Sequence, residues 1–218
     1  MDKGFLSLVI AGIAFCGSHV LLSSTRLRGS LRDQLGERGF LAVYSLTSLA
    51  VFAWFVAAYS AAPTIVLWPR QRWTALIPVT VMPLATILLV AGYSTRNPTA
   101  VGMERLARAD DPAPGILSVT RHPVMWAIGL WAVAHLIANG DLSSVLFFGS
   151  LAGLALGSNW PRLAQITSNL PFAALLAGRT KLHWRDIGIL RIAAGLLLYA
   201  VLYLAHPIIT GLPVMVPQ

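Results

Sequence analysis

The stretch PVMWAIGLWAVAHLIANGDLSSVLFFGSLAGLALGS, residues 123–158, carries a single formally charged side chain, Asp141. A helix needs about 20 predominantly apolar residues to cross the roughly 30 Å hydrocarbon core of a bilayer. Asn139-Gly140-Asp141 divides the stretch with residues that favour turns, and Pro123 suits the first turn of a helix. The stretch therefore predicts two membrane spans joined by a short turn, Pro123–Asn139 and Leu142 to about Ser158.

Four further apolar runs extend this pattern over the rest of the chain. They are Gly4–Ser23, Phe40 to about Ala62, Trp73–Gly92 and Ile187 to about Ile209. Only 11% of the residues are charged and 56% are hydrophobic, whereas a soluble domain carries about a quarter charged residues. The sequence predicts an all-α fold, a polytopic transmembrane helical bundle of about six spans, in which residues 1–218 form a single domain.

A seventh apolar stretch, Leu163–Gly178, is short for a span and contains Gln165, Asn169 and Pro171. Irregular backbone at membrane depth is tolerated only where protein or water covers it. We therefore interpret this stretch as a re-entrant or interfacial segment.

Basic residues are distributed unevenly between the two faces of the predicted bundle. The loops after the first, third and fifth spans hold Arg26, Arg28, Arg32, Arg38, Arg96, Arg105, Arg108, Arg121, Arg162, Arg179, Lys181 and Arg185, and the other face holds Lys3, Arg70 and Arg72. The positive-inside rule then predicts a multi-pass protein of a bacterial inner membrane, with an even number of spans and both termini outside the cytoplasm. The net charge of +8 follows from this topology, so we expect no nucleic-acid partner.

The single cysteine, Cys16, excludes an intramolecular disulfide and a covalent CxxCH haem site. The sequence also lacks phosphate-binding loops, dinucleotide fingerprints, zinc-protease motifs and nucleophile elbows. Gly149, Gly153 and Gly157 form a series of small residues that predicts close contact with another helix, within the chain or in a homodimer.

Three of the five histidines lie within predicted spans, His19 and His135 deep in theirs and His206 late in the last one. An ionisable side chain there indicates either a functional site or a hydrogen bond between helices. His135 and His122 face directions about 140° apart around one helix, so they cannot easily share a metal. His19 and His135 differ in predicted depth by about 12 Å, so a haem plane between them has to lie fairly flat in the membrane, and His19–His122 is the alternative pair.

Arg121-His122-Pro123 forms a polar cluster at the start of a predicted span. An arginine here could bind a carboxylate, a haem propionate or a lipid phosphate. Alternatively, Arg121 only sets the topology in front of an N-terminal proline.

Several ordered blocks resemble the NnrU family of bacterial membrane proteins and, through it, the zeta-carotene isomerase of plants and cyanobacteria. The resemblance covers nearly the whole chain. The blocks are Gly17-Ser18-His19, Leu35-Gly36-Glu37-Arg38-Gly39, Tyr44-Ser45-Leu46, Arg96-Asn97-Pro98, Thr120-Arg121-His122-Pro123, residues 130–141, Thr167-Ser168-Asn169-Leu170-Pro171-Phe172 and His206-Pro207.

This resemblance implies haem b bound non-covalently inside the bundle. In the isomerase two histidines hold the iron, and the matching blocks carry them over to His19 and His135. We count Arg121, His122 and Asn139 as further cofactor-binding residues, with Asn139 one turn beyond His135 as a hydrogen-bond partner for its second ring nitrogen. Ser18 or Ser23 would serve His19 in the same way.

Three functions fit these features. The first is a haem-dependent, isomerase-like enzyme acting on double bonds of an apolar polyene or lipid, with the bilayer as its other partner. The second is a non-enzymatic haem protein for electron transfer or for nitric-oxide and nitrite metabolism, with which NnrU is associated. The third is a membrane methyltransferase, because Arg121-His122-Pro123 is similar to a motif of isoprenylcysteine methyltransferases, although the acidic helix that follows it there has no counterpart here.

Overall fold

Helices make up nearly all of the ordered secondary structure. The computed structural model describes residues 2–24, 26–95, 115–156, 170–178, 181 and 184–215. The α-helices are α1 (Lys3–Ser24), α2 (Arg26–Ala61), α3 (Arg72–Ser94), α4 (Pro123–Asn139), α5 (Leu142–Leu156), α6 (Ala173–Leu176), α7 (Trp184–Ile187) and α8 (Ile189–Thr210), with a 3-10 turn at Gly115–Ser118. Within these ranges the one β-type pairing is an isolated bridge between Val66 and Asp141, so the all-α prediction is confirmed.

All six predicted spans are helical. By length and composition, α1, α2, α3 and α8 could each cross a membrane, while α4 and α5 are shorter apolar helices. The second predicted span, from Phe40, lies within a longer helix that begins at Arg26. At 1.5 Å per residue this helix is about 54 Å long, well beyond a bilayer core, and non-helical dihedrals at Gly36 interrupt it between its charged and apolar parts.

The long helices pack in the order α2, α1, α5, α4, α3 and α8. One hydrophobic cluster lies between α1, α2 and α5, where Phe55 contacts Phe15 and Phe147. A second cluster lies between α3 and α4 around Leu88 and Ala127. Sequence neighbours are therefore not always neighbours in space, since α1, α5 and α4 lie between α2 and α3.

Glycines allow two of these helix pairs to approach closely. A Cβ placed on Gly195 of α8 would lie 2.6 Å from the Cα of Ile87 in α3, and one on Gly92 would lie 2.7 Å from Val124 Cγ2 in α4. Backbones can come this near only when one partner lacks a side chain.

The glycine series of α5 is not buried in this way. A Cβ on Gly153 would meet no atom of the described residues within 4 Å, and one on Gly149 would only touch Leu136 at 3.7 Å. Gly153 therefore has no packing partner among the described residues, and contact of this face with another helix stays a prediction. Gly157 lies outside the described residues, and the homodimer stays a prediction.

Both chain ends lie at the same end of the bundle, called here the terminal end. Gly4 lies against the end of α2, because a Cβ on it would be 2.8 Å from the Ala61 carbonyl oxygen. The loop that follows α2 carries Arg70, whose Nη2 donates hydrogen bonds to the carbonyl oxygens of Pro213 (2.8 Å) and Val214 (3.2 Å). This arrangement agrees with an even number of spans, and the side of the membrane that the terminal end faces stays a prediction.

The predicted re-entrant segment is only partly visible, since residues 163–169 lie outside the described ranges, as do the Arg96-Asn97-Pro98 block and His183. From residue 170 the chain forms the short helix α6. The Phe172 amide donates to the carbonyl oxygen of Val119 at 2.8 Å, and Phe172 has a positive φ of 63°. This part therefore packs beside the 3-10 turn, and its membrane placement stays a prediction.

Candidate functional site

Three histidines of the long helices hold their rings in the same way. The Nδ1 atoms of His19 and His135 lie 2.8 Å from the carbonyl oxygens of Phe15 and Trp131, one helical turn earlier. The Nδ1 of His206 lies 3.1 Å from the Leu212 carbonyl oxygen. Because a carbonyl oxygen only accepts, each Nδ1 carries a hydrogen, so in the neutral form of each ring the lone pair that can bind a metal is on Nε2.

His135 lies in an aromatic environment beside another imidazole. Its ring stacks on Phe148 of α5, with ring centroids 5.5 Å apart and 30° between the planes, and contacts Trp131 at 5.7 Å. The ring of His206 on α8 lies 6.5 Å away at a tilt of 31°. The structure therefore brings together His135 and His206, a pair that the sequence analysis did not consider.

His19 lies elsewhere, with its ring against Phe15 (4.3 Å) and Tyr44 (6.0 Å). The position of Ser150 in α5 shows the difference in depth. Cys16, one turn before His19, lies 3.9 Å from the Ser150 carbonyl oxygen, and α1 then runs away from the terminal end. His135 stacks on Phe148, which precedes Ser150 on the side of the terminal end, so the two histidines lie at different depths.

Arg70 lies at the same end of the bundle as His206, because both side chains bond to neighbouring carbonyl oxygens after α8. Its Nη2 holds the turn formed by Leu212, Pro213 and Val214, called here the C-terminal turn. The same turn accepts the hydrogen bond from His206. The Nε of Arg70 is buried and has no hydrogen-bond partner among the described residues, so this guanidinium keeps an unused donor.

Asn139 belongs to a polar network at the start of α5. Its Nδ2 donates to Ser144 Oγ (3.1 Å) and Tyr59 OH (3.5 Å). Asp141 caps the helix by accepting from the Ser144 amide (2.8 Å) and hydroxyl (2.6 Å). The partner of the His135 ring is thus the Trp131 carbonyl, where the sequence analysis expected Asn139, and the partner of His19 is the Phe15 carbonyl, where it expected a serine.

The loop between α2 and α3 closes over the turn at Gly140. The amides of Leu67 and Trp68 both donate to the Gly140 carbonyl oxygen, at 2.8 and 3.0 Å. The indole Nε1 of Trp68 donates to the carbonyl oxygen of Ile137 at 2.9 Å. Gly140 has a φ of 72°, and a Cβ on it would lie 2.2 Å from the Trp68 carbonyl oxygen. The end of α4 that carries His135 is therefore anchored by loop backbone.

Arg121 and His122 lie at the opposite end of α4 from His135. Both are buried, with 4% and 6% of their surfaces exposed. His122 is the N-cap residue and Pro123 begins the helix as predicted, while the His122 Nε2 is buried without a hydrogen-bond partner among the described residues. Burial, and then the charge of Arg121, lowers the pKa of His122 to about 4, so this imidazole is neutral at physiological pH.

This lowered pKa predicts a loss of stability in acid. An unfolded histidine takes up a proton near its ordinary pKa of 6.5, whereas His122 in the folded chain resists until about pH 4. The unfolded state therefore binds more protons between these values, and the free energy of unfolding falls as the pH falls through this window, by up to about 3 kcal/mol. Apparent melting temperatures in detergent, measured from neutral pH downward, should be less pH-dependent in His122→Gln than in the wild type. Equal pH dependence in both proteins would contradict the prediction.

No three His, Cys, Asp or Glu side chains come together as metal ligands in the part of the chain that the structure describes. The candidate site is the pair His135 and His206, with Arg70 on the same C-terminal turn as His206. These features define a multi-pass helical membrane protein with imidazoles held in its apolar helices. A family model described as NnrU protein matches residues 7–214, and the chain belongs to the NnrU family. No curated protein and no solved structure matches the chain.

Proposed function

We propose that the protein is an integral membrane haem b protein in which His135 would hold the iron. The observation that carries this proposal is the hydrogen bond that holds His135 Nδ1 on the Trp131 carbonyl oxygen, which leaves the lone pair of the neutral ring on Nε2, beside a second imidazole and two aromatic rings. A haem ligand needs this tautomer, and a fixed partner on the other ring nitrogen holds the ring in place.

The surrounding residues fit a haem group. Trp131 and Phe148 give the His135 ring an apolar, aromatic surrounding, and the unused Nε donor of Arg70 suits a propionate carboxylate. When bound, haem would supply a redox-active iron that binds a small ligand or polarises a double bond. The chain itself orients the group and keeps water from it.

Exposure of α8 supports an isomerase-like activity on an apolar polyene or lipid. Around His206 the helix exposes Leu204, Ile208 and Ile209, so a substrate dissolved in the bilayer can approach this histidine directly. The presence of two imidazoles favours a second function, electron transfer or nitric-oxide chemistry without turnover, because two retained ligands leave no open position for a substrate.

Absorption spectra of the detergent-purified protein, produced with ample haem and then oxidised and reduced, test the proposal. We expect a Soret band that shifts on reduction and a pigment that extracts without covalent attachment. His135→Ala should lower the haem content about tenfold or more, while His183→Ala should retain it. A wild-type protein without a Soret band would refute the proposal.

A further inference from the structure

We infer that residues 26–35, called here the surface segment, lie as an amphipathic helix on the headgroup region of the membrane and bind anionic phospholipids. The surface segment is the charged first part of α2 and follows α1 at the end of the bundle opposite the terminal end. The apolar part of α2, from Phe40 to Ala61, is long enough by itself to cross the bilayer. The surface segment therefore serves another purpose than spanning, and one that is independent of the proposed haem function.

The surface segment does not continue the axis of the span that follows it. Gly36 has a φ of 70° and a ψ of 173°, a backbone conformation that is essentially restricted to glycine. An uninterrupted helix would place Arg28 and Phe40 about 18 Å apart along its axis. The guanidinium carbon of Arg28 instead lies 5.9 Å from the centre of the Phe40 ring. The chain thus bends at Gly36, which brings the surface segment toward the start of the span, where the membrane interface lies.

Two side-chain contacts across Gly36 hold this bend. Arg32 forms an ion pair with Glu37 on the other side of the glycine. Arg28 lies over the ring of Phe40, within the range of a cation–π interaction, and Phe40 is itself buried with 1% of its surface exposed. Because a buried ring anchors one of these contacts, the orientation of the surface segment is fixed by the bundle.

The surface segment is amphipathic, and its apolar face is open. Leu27, Leu31 and Leu35 recur every four residues and so share one face of the helix. Leu27 is 44% and Leu35 is 47% exposed, and Leu31 is partly exposed. Asp33 lies about 160° around the helix from Leu31 and is exposed. A leucine face with a polar face opposite is typical of helices that lie in the plane of a membrane interface.

The charge of this region favours an anionic lipid as the partner. Residues 26–38 contain four arginines against two carboxylates, Asp33 and Glu37, and Arg26 and Arg38 are exposed. Basic residues beside a membrane are attracted to anionic headgroups. An acidic protein would satisfy the arginines alone, whereas a bilayer surface offers a negative layer and, directly beneath it, an apolar layer for the leucines. The two features together therefore match a phospholipid surface.

Fluorescence quenching of the full-length protein in nanodiscs tests this placement. A polarity-sensitive probe would be attached to Leu31→Cys or, as the matched control on the opposite face, to Asp33→Cys. Both variants carry Cys16→Ala, which removes the single native cysteine. In nanodiscs that contain phosphatidylglycerol, brominated acyl chains should quench the probe at residue 31 and shift its emission to shorter wavelength. Acrylamide, a neutral quencher in the water, should instead quench the probe at residue 33.

The anionic lipid is tested by leaving it out. In nanodiscs of phosphatidylcholine alone, acrylamide should reach the probe at residue 31 more easily. Combining Arg26→Gln with Arg38→Gln should have the same effect in the presence of phosphatidylglycerol, because each arginine at the surface strengthens the association about fivefold. These positions are exposed, so the substitutions leave the core intact, and melting curves verify that each variant is folded.

Equal access of acrylamide to both probes would overturn the surface helix. Lipid quenching at residue 31 that is the same with and without phosphatidylglycerol would overturn the anionic lipid as the partner. Neither result depends on whether the protein binds haem, so failure of this inference and failure of the proposed function are distinguishable.

Discussion

Gly140→Ala is expected to lower the free energy of unfolding by more than about 3 kcal/mol, which corresponds to about 10 °C in apparent melting temperature. The left-handed backbone at this position, with a φ of 72°, disfavours any side chain. The added methyl group would also lie 2.2 Å from the Trp68 carbonyl oxygen. The loop would have to withdraw and lose the hydrogen bonds from Leu67 and Trp68, each worth about 1 kcal/mol.

Gly211→Ala is the matched control for this experiment. Gly211 ends α8 with a φ of 71°, but a Cβ there would meet no atom of the described residues within 4 Å. Its replacement should therefore cost only the backbone strain of about 1 kcal/mol. Equal melting temperatures for the two variants would show that the loop yields easily, and that Trp68 does not anchor the end of α4.

Gly195→Leu should separate α8 from α3 and lower the stability by about 3 kcal/mol or more. The new side chain would point at the backbone of Ile87, with its Cβ 2.6 Å from the Cα and 2.9 Å from the amide nitrogen. Side chains can rotate away from a clash, but a helix backbone cannot, so overpacking here exceeds the usual range of about 1–3 kcal/mol. Thermal melting in detergent measures the loss.

Gly153→Leu provides the control, because a Cβ at this position of α5 meets no atom of the described residues within 4 Å. It should leave the melting temperature of the monomer nearly unchanged. A comparable loss in both variants would indicate that Gly153 meets a second copy of the chain, and size-exclusion chromatography with light scattering would reveal that homodimer.

The sequence predicted the helices well because lipid permits few alternatives. Without water, the backbone must satisfy its own hydrogen bonds, so long uncharged runs such as Trp73–Gly92 have to be helical. The start of α2 was missed because this constraint applies only inside the apolar core of the membrane. Arg26 and the residues up to Gly36 are charged and polar, and hydropathy cannot distinguish a helix that continues outside the apolar core from a loop.

The site was harder to predict because periodicity describes one helix at a time. It shows which residues share a face with His135, but not which helix lies opposite that face. His206 is 71 residues later in the chain, and its proximity follows from the packing of α8 on α3 beside α4. Trp68 could not be placed either, since its bond to Ile137 depends on a loop whose path no local pattern reveals.

The contact between Gly195 and Ile87 has a consequence for biosynthesis. The two residues are 108 positions apart, so at about 5–20 residues per second the ribosome needs roughly 5 to 20 s to supply the second after the first. Until then the matching surface of α3 has no partner inside the nascent chain and must be compatible with lipid or with the insertion machinery. A seam of glycine and aliphatic groups meets that demand, because it binds tightly once the last helix arrives and exposes no unsatisfied polar group while it waits.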